Sequence, residues 1–214
     1  MSSFPIFNPA FVLVGIPSLL VAITIHEFAH AWAATRLGDP TPRMQGRLTL
    51  NPLSHLDPIG SLMLLFIGFG WGKPVQFDPY NLENPKRDAA LISLAGPASN
   101  LILAAVISII FRLVAGPFGS LSVFSNFFMV VIYYNIVLAV FNLLPIHPLD
   151  GGKILIGILP RKDALKVDMF LNQYGIFILF LMIFPIWGGV SPVSALLSPI
   201  IRVLTAVYLP GSMI

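Results

Sequence analysis

The chain has 214 residues, 57% of them hydrophobic and only 10% charged, where a soluble domain carries about 25% charged residues. It cannot cover itself with polar surface, so lipid must be its main solvent, and its length suits a single unit of several spans of about 20 residues each. The net charge of +3 is scattered over isolated Lys and Arg rather than gathered in a basic stripe, which excludes nucleic acid as a partner, and the absence of cysteine excludes disulfides and thiolate metal sites.

The N-terminus lacks the basic region of a cleavable signal peptide, and no small-residue cleavage site follows, so the first apolar segment is expected to be retained. That segment, residues 7–34, has Pro9 and Pro17 in its first half. Its second half is helix-forming and apolar except at Thr24, His26, Glu27 and His30, which predicts a transmembrane helix with a polar cluster inside it. Residues 35–58 are polar and turn-rich, and the alternation over 45–50 predicts a short extended, β-like segment in an interfacial loop. Residues 59–69 are apolar but too short to cross a bilayer comfortably, so a partly inserted helix is expected there.

A second polar connection, 70–88, leads to a clear span at 89–115. A Gly and Pro turn at 116–119 precedes another span at 123–144, which runs into Asn-Leu-Leu-Pro-Ile-His-Pro-Leu-Asp-Gly-Gly, residues 142–152. A basic linker at 161–166 follows. Two last apolar stretches, 176–187 and 193–209, are separated by Gly188 and Gly189.

The expected architecture is an all-α polytopic membrane protein with about five to six transmembrane or partly inserted helices, forming one integral-membrane domain over residues 1–214. The basic residues Arg36, Arg43, Arg47, Lys73, Lys86, Arg87, Lys153, Arg161, Lys162 and Lys166 fall in connections that this layout puts on one side. By the positive-inside rule that side is cytoplasmic, with the N-terminus outside.

His26 and His30 are four residues apart, about 40° in rotation and one turn in height on a helix, so both imidazoles can point at one ion. In the His-Glu-x-x-His pattern the glutamate, here Glu27, is not a ligand but the base for the attacking water. An ionisable group at mid-membrane costs roughly 2.5–3.5 kcal/mol, so three polar side chains within one turn need a compensating partner, which a divalent cation supplies. A catalytic zinc normally has three protein ligands. The candidates for the third are Asp39, His55, Asp57, Asp78, Glu83, Asp88, His147, Asp150, Asp163 and Asp168, most of them in turn-rich loops where a capping role is the simpler reading. Asp150 stands apart because it follows a long apolar span and precedes two glycines; His147 competes with it.

His-Glu-Phe-Ala-His inside an apolar helix, followed far downstream by the Asp150 segment, resembles the site-2 protease family of intramembrane zinc metalloproteases, peptidase family M50. The likeness extends to residues 46–60 and to Leu-Ala-Gly-Pro-Ala-Ser-Asn at 94–100, and so covers about 20–160. It implies that Asp150 is the third ligand of one Zn2+ per chain, beside His26 and His30, with Glu27 as base. It also implies that Asn142 hydrogen-bonds the oxyanion of the tetrahedral intermediate, although by itself an asparagine there reads as a helix-end cap. Gly96, Pro97 and Asn100 match a further family motif, for which close helix packing and an interhelical hydrogen bond are a sufficient reading. The implied substrate is a transmembrane protein cut in or near its membrane segment, in a bacterial cell membrane with the active site towards the cytoplasm. A homo-oligomer or a regulatory membrane partner remains open, and there is no room for the PDZ or CBS modules of larger members. The alternative reading is a membrane metal-binding or transport protein without hydrolytic activity.

Overall fold

The computed structural model describes residues 5–118, 122–185 and 189–209, with the backbone alone for 114–118 and 122–124. After a π-helical turn at Phe11–Gly15 come α1 (Ile16–Arg36), a single-turn α2 (Thr41–Met44), α3 (Pro58–Ile67), α4 (Pro85–Phe118), α5 (Ser122–Asn142), α6 (Asp150–Ile158), α7 (Arg161–Ile183) and α8 (Pro192–Tyr208). Among the described residues there is no strand, and an isolated bridge pairs Leu56 with Gly72.

Four segments are long and apolar enough to cross a bilayer: Phe11–Arg36, Pro85–Leu113, Ser125–Asn142 and Arg161–Ile183. With α3 and α8 as shorter apolar helices, the molecule is an all-α polytopic membrane protein. At about 1.5 Å per residue, α3 reaches about 15 Å, half the hydrocarbon thickness and too short to cross it. Asp57 caps it by accepting from the Gly60 N–H at 2.8 Å, Pro58 opens its first turn, and it stops at Gly68.

The helices close on one another through small residues and a few polar ones. Ala22, Ala31 and Ala34 of α1 are fully buried, letting the backbone of α4 approach closely. The larger core joins Ala104 of α4 with Ile132, Ile136 and Val140 of α5 and Val193 and Leu197 of α8. Outward, Leu13, Leu113 and Ile176 are exposed, as lipid-facing positions should be. Residue contacts show α1 and α4 antiparallel: Ala22 and His26 meet Asn100, while His30 meets Ile92. The Lys86 ammonium at the start of α4 donates to the Leu159 carbonyl at the end of α6. The end of α1, the starts of α4 and α7 and the end of α6 therefore gather on one side of the bundle.

Three expectations need correction. Residues 45–50 form no strand: Gly46 turns the chain with φ at 68°, the Arg47 N–H returns to the Pro42 carbonyl at 2.8 Å, and the Arg47 side chain points inward. The non-helical stretch beside the bundle lies instead at 69–78, between α3 and the Pro79–Asn81 turn. The supposed basic linker at 161–166 is the opening of α7, started by Pro160, with Ala164 buried and Leu165 exposed. Gly116 and Pro117 lie within α4, so the turn expected there does not begin before Phe118; Gly119, like Trp187 and Gly188 of the last expected junction, lies outside the described residues.

Candidate metal centre

α1 carries His26 and His30 on the face turned to α4, both at 8% exposure or less. Asp150 arrives as the first residue of α6, after the loop that leaves α5. The two Nε2 atoms are 3.0 Å apart, and Asp150 Oδ2 lies 3.1 Å from that of His26 and 3.2 Å from that of His30.

The tautomers follow from the partners. His30 Nδ1 is 2.7 Å from the Ile92 carbonyl, which only accepts, so Nδ1 carries the proton. The Asn100 amide nitrogen donates to the Ala22 carbonyl at 2.9 Å and to Asn135 Oδ1 at 2.8 Å, so its oxygen is what faces His26 Nδ1 at 2.6 Å, and that nitrogen too is a donor. In the neutral form that a metal ligand needs, both imidazoles turn their Nε2 lone pairs towards an Asp150 carboxylate oxygen that is buried without a hydrogen-bond partner. In that form three acceptors lie within 3.2 Å of one another and repel unless a cation sits among them. A zinc with four tetrahedral ligands at about 2.0–2.2 Å holds its ligand atoms about 3.3 Å apart, so the observed triangle fits that ion.

Gly96 makes the space. A Cβ built there would overlap His30 Nε2 and come within 2.7 Å of His26 Cε1, so α4 can carry no side chain opposite the pair. Asn100 lies one turn further along and fixes the His26 ring as a support to a metal ligand does. It is the interhelical hydrogen bond expected from sequence, and its partner is one of the three converging groups. Asn135 was not anticipated, although an amide in the middle of an apolar span marks a position with a buried task. The Ile92 carbonyl, a backbone group, leaves no trace in sequence.

Glu27 is beside the cluster and not part of it. Its Oε2 accepts the Val75 N–H at 2.9 Å and lies 4.0 Å from an Arg47 guanidinium nitrogen. The Lys153 ammonium, one turn after Asp150, sits 4.8 Å from the centre of the Phe77 ring. Burial pushes that ammonium below its ordinary value, and the carboxylates of Asp150 and Glu27 pull it back up.

The other candidates lie elsewhere. His55 is fully buried, with Nε2 2.8 Å from the Thr49 carbonyl, and His147 Nε2 is 3.3 Å from Asp168 Oδ1. Asp39, Asp57, Asp78 and Asp88 all accept from backbone N–H groups of nearby turns or helix starts. Asn142, the last residue of α5, donates its amide to the Leu138 carbonyl at 3.0 Å.

The fold and this cluster describe an integral-membrane protein in which three helix-borne groups could hold a metal ion. The model of the family described as Peptidase family M50 matches residues 112–182, which include Asp150. The chain is 42% identical over 173 residues to "Putative zinc metalloprotease YwhC" of Bacillus subtilis, covering 78% of each chain. Over 147 residues it is 37% identical to the Rip2 proteins of Mycolicibacterium smegmatis and Mycobacterium tuberculosis, which bear the same designation; that match covers 66% of this chain and 55% of theirs. No solved structure matches significantly. The chain belongs to peptidase family M50 and is a zinc metalloprotease of the membrane.

Proposed function

We propose that the chain holds one Zn2+ through His26, His30 and Asp150 and hydrolyses peptide bonds in or near the transmembrane segments of other membrane proteins. The observation that carries this reading is the convergence of three lone pairs, including the partnerless Asp150 oxygen, next to a glutamate that is not one of them. Zinc bound there supplies a Lewis acid towards water and the scissile carbonyl.

The chain's own groups do the rest. Glu27, with Oε2 engaged by Val75, takes the proton of the attacking water on its other oxygen and passes it to the leaving amine. Asn142 uses one amide hydrogen on Leu138; the second is free for the carbonyl oxygen as negative charge develops there. Asn100 and the Ile92 carbonyl keep both imidazoles in the ligating tautomer.

A transmembrane helix hides its carbonyls in internal hydrogen bonds and must unwind before attack. Residues 45–50 are turned and offer no edge, whereas residues 72–76 run extended past Glu27. Lys73 and Val75 direct their N–H groups inward, to the His55 carbonyl and to Glu27, while Pro74 and Gln76 are exposed. An unwound substrate segment is placed along that outer edge by strand addition. The basic residues on the side where α1 ends favour a cytoplasmic active site. Residues 1–214 then act as one membrane unit, since α1, α4, α5 and α6 all contribute to the centre and its supports.

The test is cleavage-site mapping. Wild type and Glu27→Gln, each with zinc, are incubated in liposomes with a panel of single-span substrates, and products are identified by mass spectrometry. Cuts within or next to the span by wild type alone are expected. Cuts confined to water-exposed regions, or equal cutting by Glu27→Gln, would contradict the reading.

A further inference from the structure

Among the described residues Arg47 is the one buried Lys or Arg, at 5% exposure. Its guanidinium donates to the Ser54 carbonyl and to the Lys73 carbonyl, and Nη2 lies 4.0 Å from Glu27 Oε2. Nε is buried without a hydrogen-bond partner. A side chain from the loop after α2 thus joins three separated pieces: the Pro52–His55 turn, the extended segment at 72–76, and the catalytic turn of α1. The same glutamate oxygen also receives the Val75 N–H from that extended segment at 2.9 Å. Gly72 leaves room at the other oxygen, since even a Cβ built there would stand 3.9 Å from Oε1.

We propose that Arg47 is a positioning residue for peptide hydrolysis: by tying residues 72–76 to Glu27 it fixes one carboxylate oxygen and leaves the other for the attacking water. The inference rests on the reading of Glu27 as base. Burying a guanidinium is costly unless its charge is countered and its donors are used, and here Glu27 counters the charge while two carbonyls take a donor from each terminal nitrogen. Arginine suits this place because its planar fork reaches several acceptors at once, which the point charge of lysine does not. The segment placed against substrate and the base that acts on it are thereby one mechanical piece.

The experiment uses the full chain in detergent with zinc, comparing wild type, Arg47→Ala, Arg47→Lys and Glu27→Gln for zinc per chain, kcat and KM on one transmembrane substrate. Arg47→Ala and Arg47→Lys should keep wild-type zinc and KM and lose about 100-fold in kcat, the scale of a misplacement of about 1 Å. Added guanidinium ion, below denaturing concentration, should restore part of kcat to Arg47→Ala and nothing to Arg47→Lys or to Glu27→Gln. Wild-type kcat in Arg47→Ala, with Glu27→Gln inactive, overturns the positioning role and spares the base. So does a kcat loss that comes with zinc loss and shows no guanidinium rescue. An active Glu27→Gln removes the base assignment and this inference with it.

Discussion

Asp150, at the start of α6, and Asp39, in the loop after α1, are both aspartates turned into the protein, and their surroundings are opposite. Asp39 is fully buried and accepts four hydrogen bonds: from the Thr41 N–H and hydroxyl, from the Asn81 amide, and from the Asp78 N–H at 2.7 Å. Every donor aimed at it is protein. Asp150 Oδ2 is just as crowded, yet its two nearest neighbours are histidine nitrogens whose protons lie on the far side of their rings. A carboxylate surrounded by donors is a structural tie. One surrounded by lone pairs is suited to hold a cation. Counting protons around an acid separates the two where burial and residue type do not.

That contrast can be broken most sharply at Asp150. Asp150→Ala should leave the protein without stoichiometric zinc and without cleavage, read by metal analysis and product formation; zinc retained at one per chain would mean the third ligand lies elsewhere. Next in size is Gly96→Ala, whose methyl overlaps both imidazoles, so zinc affinity should fall by more than the Asn100 variant loses while the helices still form by circular dichroism. Asn100→Ala frees the His26 tautomer and should weaken zinc about 10- to 100-fold in a chelator competition, the usual loss for a ligand's hydrogen-bond support.

Asp39→Ala sharpens the comparison from the other side. It should leave zinc content unchanged and cost about 2–3 kcal/mol of stability, as expected when hydrogen bonds to a buried charge are removed, seen as a lower unfolding temperature in detergent. Burial alone would raise the Asp39 carboxyl; the bonds from Thr41, Asn81 and Asp78 outweigh it and hold the carboxyl below its ordinary value. A lowered native value means that this contribution is complete above the ordinary aspartate range and disappears as pH falls through the native one. The gap in unfolding temperature between wild type and Asp39→Ala should therefore narrow on acidification; a gap that widens would contradict the assignment.

Much of the centre was legible in the sequence because helical spacing is rigid. The four-residue step from His26 to His30 fixes their shared direction whatever the rest of the chain does, and the four long helices follow from apolar runs. Asp150 needed more, since nothing local places the start of α6 beside α1, and the resemblance to the family supplied the link. Where the sequence misled, local pattern was overruled by a long-range partner. The alternation at 45–50 reads as a strand, but Arg47 turns inward to carbonyls 7 and 26 residues away, and the chain coils around it. The charges at 161–166 read as a linker because charge runs often are, whereas the buried Ala164 shows one side of that run packed as helix. Arg47 and Lys153 were read as topology signals, since a charge near an apolar segment looks the same in sequence whether it faces water or a carboxylate.

The most direct measurement is zinc per chain in wild type, Glu27→Gln, Asp150→Ala and His147→Ala purified side by side. One zinc per chain in wild type, Glu27→Gln and His147→Ala, with none in Asp150→Ala, is the expected result. A wild-type protein that takes up no zinc, or an Asp150→Ala protein that keeps it while His147→Ala loses it, would contradict the centre described above.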